Sequence, residues 1–331
     1  MKAAVVHDFA PYRSLALDEV AAPTPGPGEV VIAVEASEVN FPDILQVEGR
    51  YQTRAALPFV PGLGAVGRVL RLGEGVAELA PGQRVLTLPD GGTHAEEARV
   101  PARWCWPVPE DIPADIGAAL GLAYQTAWFA LTARAGLRPG ERVLVTGATG
   151  GVGMAAVQLA RALGAGQVIA ATRGAAGGAL ARDLGADAAL DSAAPDLVES
   201  LRAGVRALTG GSGVDVVIDP VGGTTGEAAF RTLGWEGRFV TLGYASGAVP
   251  GLKANHLLVK NVAVLGLQWT DYRARHPERV AEAQARIFAL WREGRLAPRI
   301  SHRLPLARVA EALERMEQGQ AQGKIVLLPG R

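Results

Sequence analysis

The chain has 331 residues and a mass of 34.4 kDa, is 49% hydrophobic and 20% charged, and sets 33 basic residues against 33 acidic ones. That length suits about two domains with ordinary cores, and zero net charge gives no support to a polyanion-binding surface, which needs a basic excess to displace counterions. A single cysteine, Cys105, excludes an intrachain disulfide and a four-cysteine zinc site, as expected of an intracellular protein.

The start, MKAAVVHDFAPYR, holds an apolar run too short for a signal-peptide core, so a cytoplasmic location is expected. From there to about residue 100, short β-rich runs alternate with Pro/Gly punctuation: Ala3–His7, PTPGPG at 23–28, Val30–Val39, Ala65–Leu72 and Gln83–Leu88. This pattern predicts an antiparallel, barrel-like module. Two charge-free stretches, Ile116 to Ala133 and Val143 to Ala160, reach the minimum length of a membrane span. Tyr124, Gln125 and Thr126 interrupt the first and Gly147, Gly150, Gly151 and Gly153 the second, so neither reads as transmembrane.

The character changes near residue 115, and from there to about residue 265 strands alternate with helices: Arg142–Thr146, Val152–Leu163, Gln167–Thr172, Ala176–Leu184, Leu197–Leu208, Val214–Ile218, Glu227–Leu233, Arg238–Leu242 and Val262–Leu267. Such alternation predicts parallel βαβ units with helices on both faces of a sheet. The tail returns to a helix over Pro277–Glu293, a short run at Arg303–Leu304, a helix over Leu306–Gln318 and a final strand, Lys324–Leu328. The predicted architecture is α/β: a doubly wound parallel-sheet domain, residues 123–267, inserted into a β-rich domain formed by residues 1–122 and 268–331. The five histidines, His7, His94, His256, His276 and His302, show no paired ligand spacing and read as surface or turn residues.

The segment from Glu141 to Ala165, ERVLVTGATGGVGMAAVQLARALGA, carries the most chemistry. A β run enters a glycine-rich turn and leaves as a helix with apolar positions at Val152, Ala156, Leu159, Ala160 and Leu163. Gly150 and Gly151 let the backbone approach a pyrophosphate, Gly153 lets the helix pack closely, and the phosphate sits on the helix N-terminus. Ala148 stands at the first position of the strict G-x-G-x-x-G pattern, and no Gly-Lys-Ser/Thr follows to make a P-loop. At the end of the next strand, where an NAD-selecting domain places an Asp or Glu, the chain has Thr172 and Arg173. A guanidinium there suits a 2′-phosphate, which points to NADP(H), although Arg173 also reads as a solvated loop residue.

With the β-rich module first, this turn in the middle and GVDVVIDPVGG beyond it, the chain resembles the medium-chain dehydrogenase/reductase superfamily, and within it the zinc-free quinone oxidoreductases. The matching stretches run in order: PGPGEVVIAVEASEVNFPD, LPFVPGLGAVGRVLRLGEGV, PGQRVL, ATGGVG, LVKNVAVLG and GKIVLLPG. The resemblance implies a GroES-like catalytic domain, an inserted Rossmann domain and a homodimer joined through the nucleotide domains at Val262–Leu267. Zinc alcohol dehydrogenases carry a Cys where Asn40 stands and Gly-His-Glu where Gly62-Leu63-Gly64 stands, so no metal is expected. It further implies that Asn40 hydrogen-bonds near the nicotinamide ribose or the substrate oxygen. Thr126 would lie beside the nicotinamide ring, Gly243 and Tyr244 would line the cofactor cleft, and Lys324 would approach the phosphates. The coenzyme-binding set is thus Asn40, Thr126, Gly150, Gly151, Val152, Gly153, Thr172, Arg173, Gly243, Tyr244 and Lys324. For Thr126 a hydroxyl bonded to its own helix, and for Lys324 an exposed strand end, are the bland alternatives. Tyr51 matches a tyrosine at the substrate mouth whose hydroxyl orients or protonates a reduced oxygen, and equally reads as a partly buried loop aromatic.

The activity so implied is zinc-independent hydride transfer from NADPH to a quinone, with Asn40 and Tyr51 catalytic. An enone or 2-alkenal reductase is the second reading and a non-catalytic structural or RNA-binding protein the third. Neutral charge and the lack of an aromatic-basic cluster speak against RNA. The expected partner is therefore a small quinone or conjugated carbonyl, with neither nucleic acid nor membrane.

Overall fold

A computed structural model describes residues 1–330. They form two compact units, one of Met1–Leu122, Arg273–Phe288 and 298–330, the other of Ala123–Tyr272 and Ala289–Ala297. Compared with the division read along the sequence, residues 268–272 and 289–297 move to the second unit. The Tyr272 ring packs 4.5 Å from that of Phe129. Ala297 exchanges two hydrogen bonds with Gln158, whose Nε2 donates to the Ala297 carbonyl and whose Oε1 accepts from its amide, both at 2.9 Å.

In the first unit a seven-stranded sheet runs in the order Ile300–Pro305, Lys324–Leu328, Glu29–Val39, Ala65–Leu72, Arg84–Thr87 and Cys105–Pro107, with Glu97–Pro101 also paired to Glu29–Val39. Its pairs are antiparallel except that of Ile300–Pro305 with Lys324–Leu328. Alternate residues of the long strand, Val30, Ile32 and Val34, pack with Val69, Val85 and Val100, each such buried side chain contributing about 1.5–3 kcal/mol. Its far end pairs Val39 with Ile325 and Ser37 with Leu327. There Val39 and Ile325 join Ile44, Val309 and Leu313 in a second cluster. Cys105 is buried, which pushes its thiol up to about 12 and keeps it protonated.

The second unit holds a six-stranded sheet in the order Ala188–Asp191, Gln167–Thr172, Arg142–Thr146, Val214–Asp219, Leu233–Thr241 and Ala263–Gly266, with every pair parallel. The winding reverses between Arg142–Thr146 and Val214–Asp219, and the crevice beyond the carboxyl ends of such strands is where open α/β sheets take ligands. The helix predicted over Glu227–Leu233 runs instead over Gly223–Phe230, and Leu233 opens the next strand. Small residues allow the early start: a Cβ on Gly226 would come within 2.5 Å of Asp219 Oδ2.

The stretch Ala114–Arg134 is long and apolar enough to cross a membrane, and 67% of its 18-residue window is buried within the protein. It comprises the helices Ala114–Ala119 and Leu122–Phe129 and a π-helical turn at Ala130–Arg134.

Candidate active site

In the second unit the strand Arg142–Thr146 ends in a turn at Gly147, whose φ of +55° is left-handed. The conformational glycine of the turn is therefore Gly147, one place before Ala148, which is fully buried. The Gly150 amide donates to the Gly147 carbonyl at 2.9 Å and closes the turn. A Cβ on Gly153 would lie 2.1 Å from that carbonyl oxygen, so the helix Gly151–Ala162 can approach the turn only with glycine there. A Cβ on Gly150 would meet nothing nearer than 3.4 Å, so space beside this position stays open. Gly150 caps the helix and has no side chain to bond its first amides. With half-buried Gly151 and Val152 leading it, the first turn presents backbone donors and the positive end of the helix dipole. This cradle fits a pyrophosphate.

Around it stand the carboxyl ends of the neighbouring strands. Thr172 is buried, and its carbonyl accepts the Ser192 amide at 2.8 Å. Arg173 follows, exposed, at the N-cap of the helix Gly174–Asp183, and makes no side-chain cap bond. Asp191, on the adjacent strand, accepts the amides of Gly174 and Ala193 at 3.0 and 2.9 Å, and these donors hold its carboxyl below its usual range.

Asp219 ends the strand beside Arg142–Thr146 and takes the Thr146 hydroxyl at 2.5 Å and the Val221 amide at 3.1 Å. Burial pushes its carboxyl up against these bonds. The segment after Leu233–Thr241 is tied to the same turn: Ala245 and Ser246 donate to the carbonyls of Pro220 and Val221. That places Gly243 and the exposed Tyr244 beside Gly222, whose added Cβ would come within 2.8 Å of Tyr244 Cδ1. Thr126 is half-buried on Leu122–Phe129 and its hydroxyl makes no bond to its own helix, unlike that of Thr132, which donates to the Trp128 carbonyl at 2.7 Å.

In the first unit Asn40 caps the helix Phe41–Val47, and its amide donates to Asp43 Oδ2 at 2.7 Å. Lys324 is no exposed strand end. It is 2% exposed, and its ammonium donates to Asn40 Oδ1 at 2.6 Å and to the Val39 carbonyl at 3.3 Å and pairs with Glu38 Oε2 at 2.6 Å. Two of its hydrogens are taken by these oxygens and its charge is met by the Glu38 carboxylate, so the ammonium is held inside the protein by Glu38, Val39 and Asn40. Glu38 itself is fully buried, and its Oε1 accepts the Leu122 amide at 2.8 Å.

His94, predicted at the surface, is fully buried: Nδ1 lies 2.9 Å from Ser37 Oγ and Nε2 lies 3.5 Å from Asp43 Oδ2. Tyr51 is half-buried, its amide donating to the Leu45 carbonyl, and its hydroxyl has no protein partner among the described residues. Burial, helped by the carboxylates of Asp90 and Asp43, pushes its phenol up and keeps it a donor. Arg273 bonds Asp90 and the Leu88 carbonyl, and its guanidinium lies 3.8 Å over the Trp104 ring.

Reading along the chain missed Glu38, Asp43, His94 and Arg273. Asp43 had a signal, the acidic residue three places after a capping Asn; the others did not. Among the described residues no three His, Cys, Asp or Glu side chains could hold a metal ion. Asn40 and the Gly62-Leu63-Gly64 segment offer none of the ligands zinc takes.

Models described as a zinc-binding dehydrogenase and an alcohol dehydrogenase GroES-like domain match residues 151–286 and 26–110. Quinone oxidoreductase-like protein 2 of Bos taurus is 37% identical over 315 residues, covering 95% of this chain and 89% of the relative. The chain belongs to the medium-chain dehydrogenase/reductase family, in its quinone oxidoreductase group. This family member shares its fold with a mycobacterial protein solved in complex with NADPH, at a TM-score of 0.92 and 32% identity, over 99% of this chain and all of that one. Escherichia coli quinone oxidoreductase, also solved with NADPH, gives 0.90 at 28% identity, again over 99% and 100% of the two chains. The chain is thus an oxidoreductase of that family, a GroES-like domain joined to a Rossmann domain.

Proposed function

We propose that this protein is an NADPH-dependent oxidoreductase that delivers hydride to a quinone without help from a metal ion. The observation that carries the reading is the uncapped helix N-terminus at Gly150–Gly153, set on a turn that only glycine at positions 147 and 153 permits, at the carboxyl end of the first strand of a doubly wound sheet. The NADPH complexes of the two structural relatives support the coenzyme. The quinone oxidoreductase-like relative supports the acceptor.

The amides of Gly151 and Val152 would hold the pyrophosphate, and Arg173, exposed with no competing cap bond, would take the 2′-phosphate. When bound, the coenzyme supplies a hydride from its nicotinamide ring. A quinone needs little Lewis-acid assistance, and the chain's own donors suffice for its oxygens. The Tyr51 hydroxyl, kept protonated by burial and by Asp90 and Asp43, orients or protonates the reduced oxygen. Asn40 offers an amide donor to an oxygen of the ribose or the acceptor.

The same reading gives a cytoplasmic homodimer with a small-molecule partner and neither nucleic acid nor membrane. The equal basic and acidic counts support the absence of a polyanion partner. Steady-state oxidation of NADPH and NADH against a small quinone and a conjugated enone, with and without a chelator, tests the assignment. NADPH with the quinone should be the fastest pair and the chelator without effect; preference for the enone makes the protein an enone reductase, and loss of turnover on chelation overturns metal independence.

A further inference from the structure

The buried cation of the first unit explains which way the Asn40 side chain faces. An ammonium can only donate, so the atom of the Asn40 amide that meets Lys324 Nζ at 2.6 Å has to be the oxygen. The other end, Nδ2, is then a donor, and it is buried with no hydrogen-bond partner among the described residues. Asn40 is 7% exposed, so water does little to satisfy that group, and a buried donor left unmet is costly to folding.

The sequence spends several residues on keeping this arrangement. Lys324 lies two places before Val326, which pairs with Glu38 across the antiparallel ladder, so lysine and glutamate project on one face as diagonal neighbours. Glu38 Oε2 neutralises the ammonium at 2.6 Å. Room for the carboxylate comes from two glycines: a Cβ on Gly64 would lie 2.4 Å and one on Gly121 2.7 Å from Glu38 Oε1. The Asn40 backbone is pinned separately, by its amide bond to Asp43.

We propose that Lys324 and Glu38 are positioning residues that lock the Asn40 amide with its oxygen inward, leaving Nδ2 as a one-way donor to an oxygen of the reaction's ligands. That oxygen is either a ribose hydroxyl of the coenzyme or the carbonyl oxygen of the acceptor. The inference rests on the proposed NADPH-dependent reduction. It gives Lys324 a task other than phosphate binding.

The test compares the full-length wild type with Asn40→Ala, Asn40→Asp, Lys324→Met and the double variant Asn40→Ala/Lys324→Met. Each is characterised by NADPH titration through tryptophan fluorescence and by kcat and KM for a small quinone. Asn40→Asp keeps an acceptor for Lys324 and removes the donor, so it should lose as much kcat/KM as Asn40→Ala, about ten- to a hundredfold. Lys324→Met should lose a similar factor, and the double variant no more than Asn40→Ala alone.

A weakened NADPH Kd assigns the oxygen to the ribose, and an unchanged Kd with a loss in turnover assigns it to the acceptor. Where Lys324→Met fails to fold, Lys324→Met/Glu38→Gln supplies the same comparison without an unpaired buried charge. Losses that add in the double variant, or a folded Lys324→Met with wild-type constants, overturn the inference. A wild-type protein that does not bind NADPH overturns the underlying reading and the inference with it, and is told apart because the variants then have nothing to lose.

Discussion

Gly153 lies so close to the carbonyl of Gly147 that a single added carbon would come within 2.1 Å of the oxygen, whereas the same carbon on Gly150 would stand 3.4 Å away. The two glycines therefore do different work. Gly153→Ala should force the helix off the turn, lowering Tm and weakening NADPH together. Gly150→Ala should leave Tm nearly unchanged and weaken NADPH alone, since its methyl enters the space left for the pyrophosphate. Thermal melts with coenzyme titration separate the two, and a reversed pattern would show that the roles are misassigned.

Arg173 is exposed and free of a cap bond. Arg173→Ala should weaken NADPH by about 1.5–3 kcal/mol, roughly ten- to a hundredfold, and leave NADH unaffected. Equal losses for both coenzymes remove the 2′-phosphate role.

The Tyr51 phenol is pushed up by burial first and by Asp90 and Asp43 second. Its neutral form is thereby favoured, so a step that needs its proton persists through neutral pH and fails only above the ordinary tyrosine range. Tyr51→Phe should reduce kcat by about a hundredfold and abolish that alkaline limb, with little change in Tm because the hydroxyl has no protein partner among the described residues. A Phe variant with full turnover assigns Tyr51 to packing.

Burial raises Asp219 above its ordinary 3.8, so its contribution to stability is complete below that value and is lost as pH rises through the folded-state pKa. Asp219→Asn carries no such loss and can still accept from Thr146 and the turn amides. The Tm of the variant minus that of the wild type should grow between pH 4 and pH 7. A difference that is flat or shrinks with pH removes the desolvation argument.

The strand Ala263–Gly266 is the last of its sheet and has one edge unpaired; Val264 on it is exposed, as are Leu258 and Val259 on the preceding helix Ala254–Lys260. An open apolar edge favours pairing with a second copy. Sedimentation should give twice the 34.4 kDa chain mass, and Val264→Lys should return the monomer. A monomeric wild type removes the homodimer.

Much of this protein could be read locally. The alternation in Val30–Val39 and the strand, glycine turn and helix of 142–163 report backbone periodicity and left-handed turns that neighbouring residues impose on one another, so the β-rich and doubly wound parts and the glycine turn are legible along the chain. Even the irregularity of the turn was one place away, because Gly147 adjoins the Ala148 that broke the pattern. The buried cluster around Asn40 was not visible. Lys324 and Asn40 are 284 positions apart, and they meet because Ile325 pairs with Val39 in register; a slip of one residue would turn the lysine to the opposite face of the sheet. His94 and Arg273 depend in the same way on which distant segments pack above them. Local pattern sets what each segment is, and the pairing of segments, which carries no signal within any one of them, decides which side chains are buried together and which buried donor has no partner among the described residues.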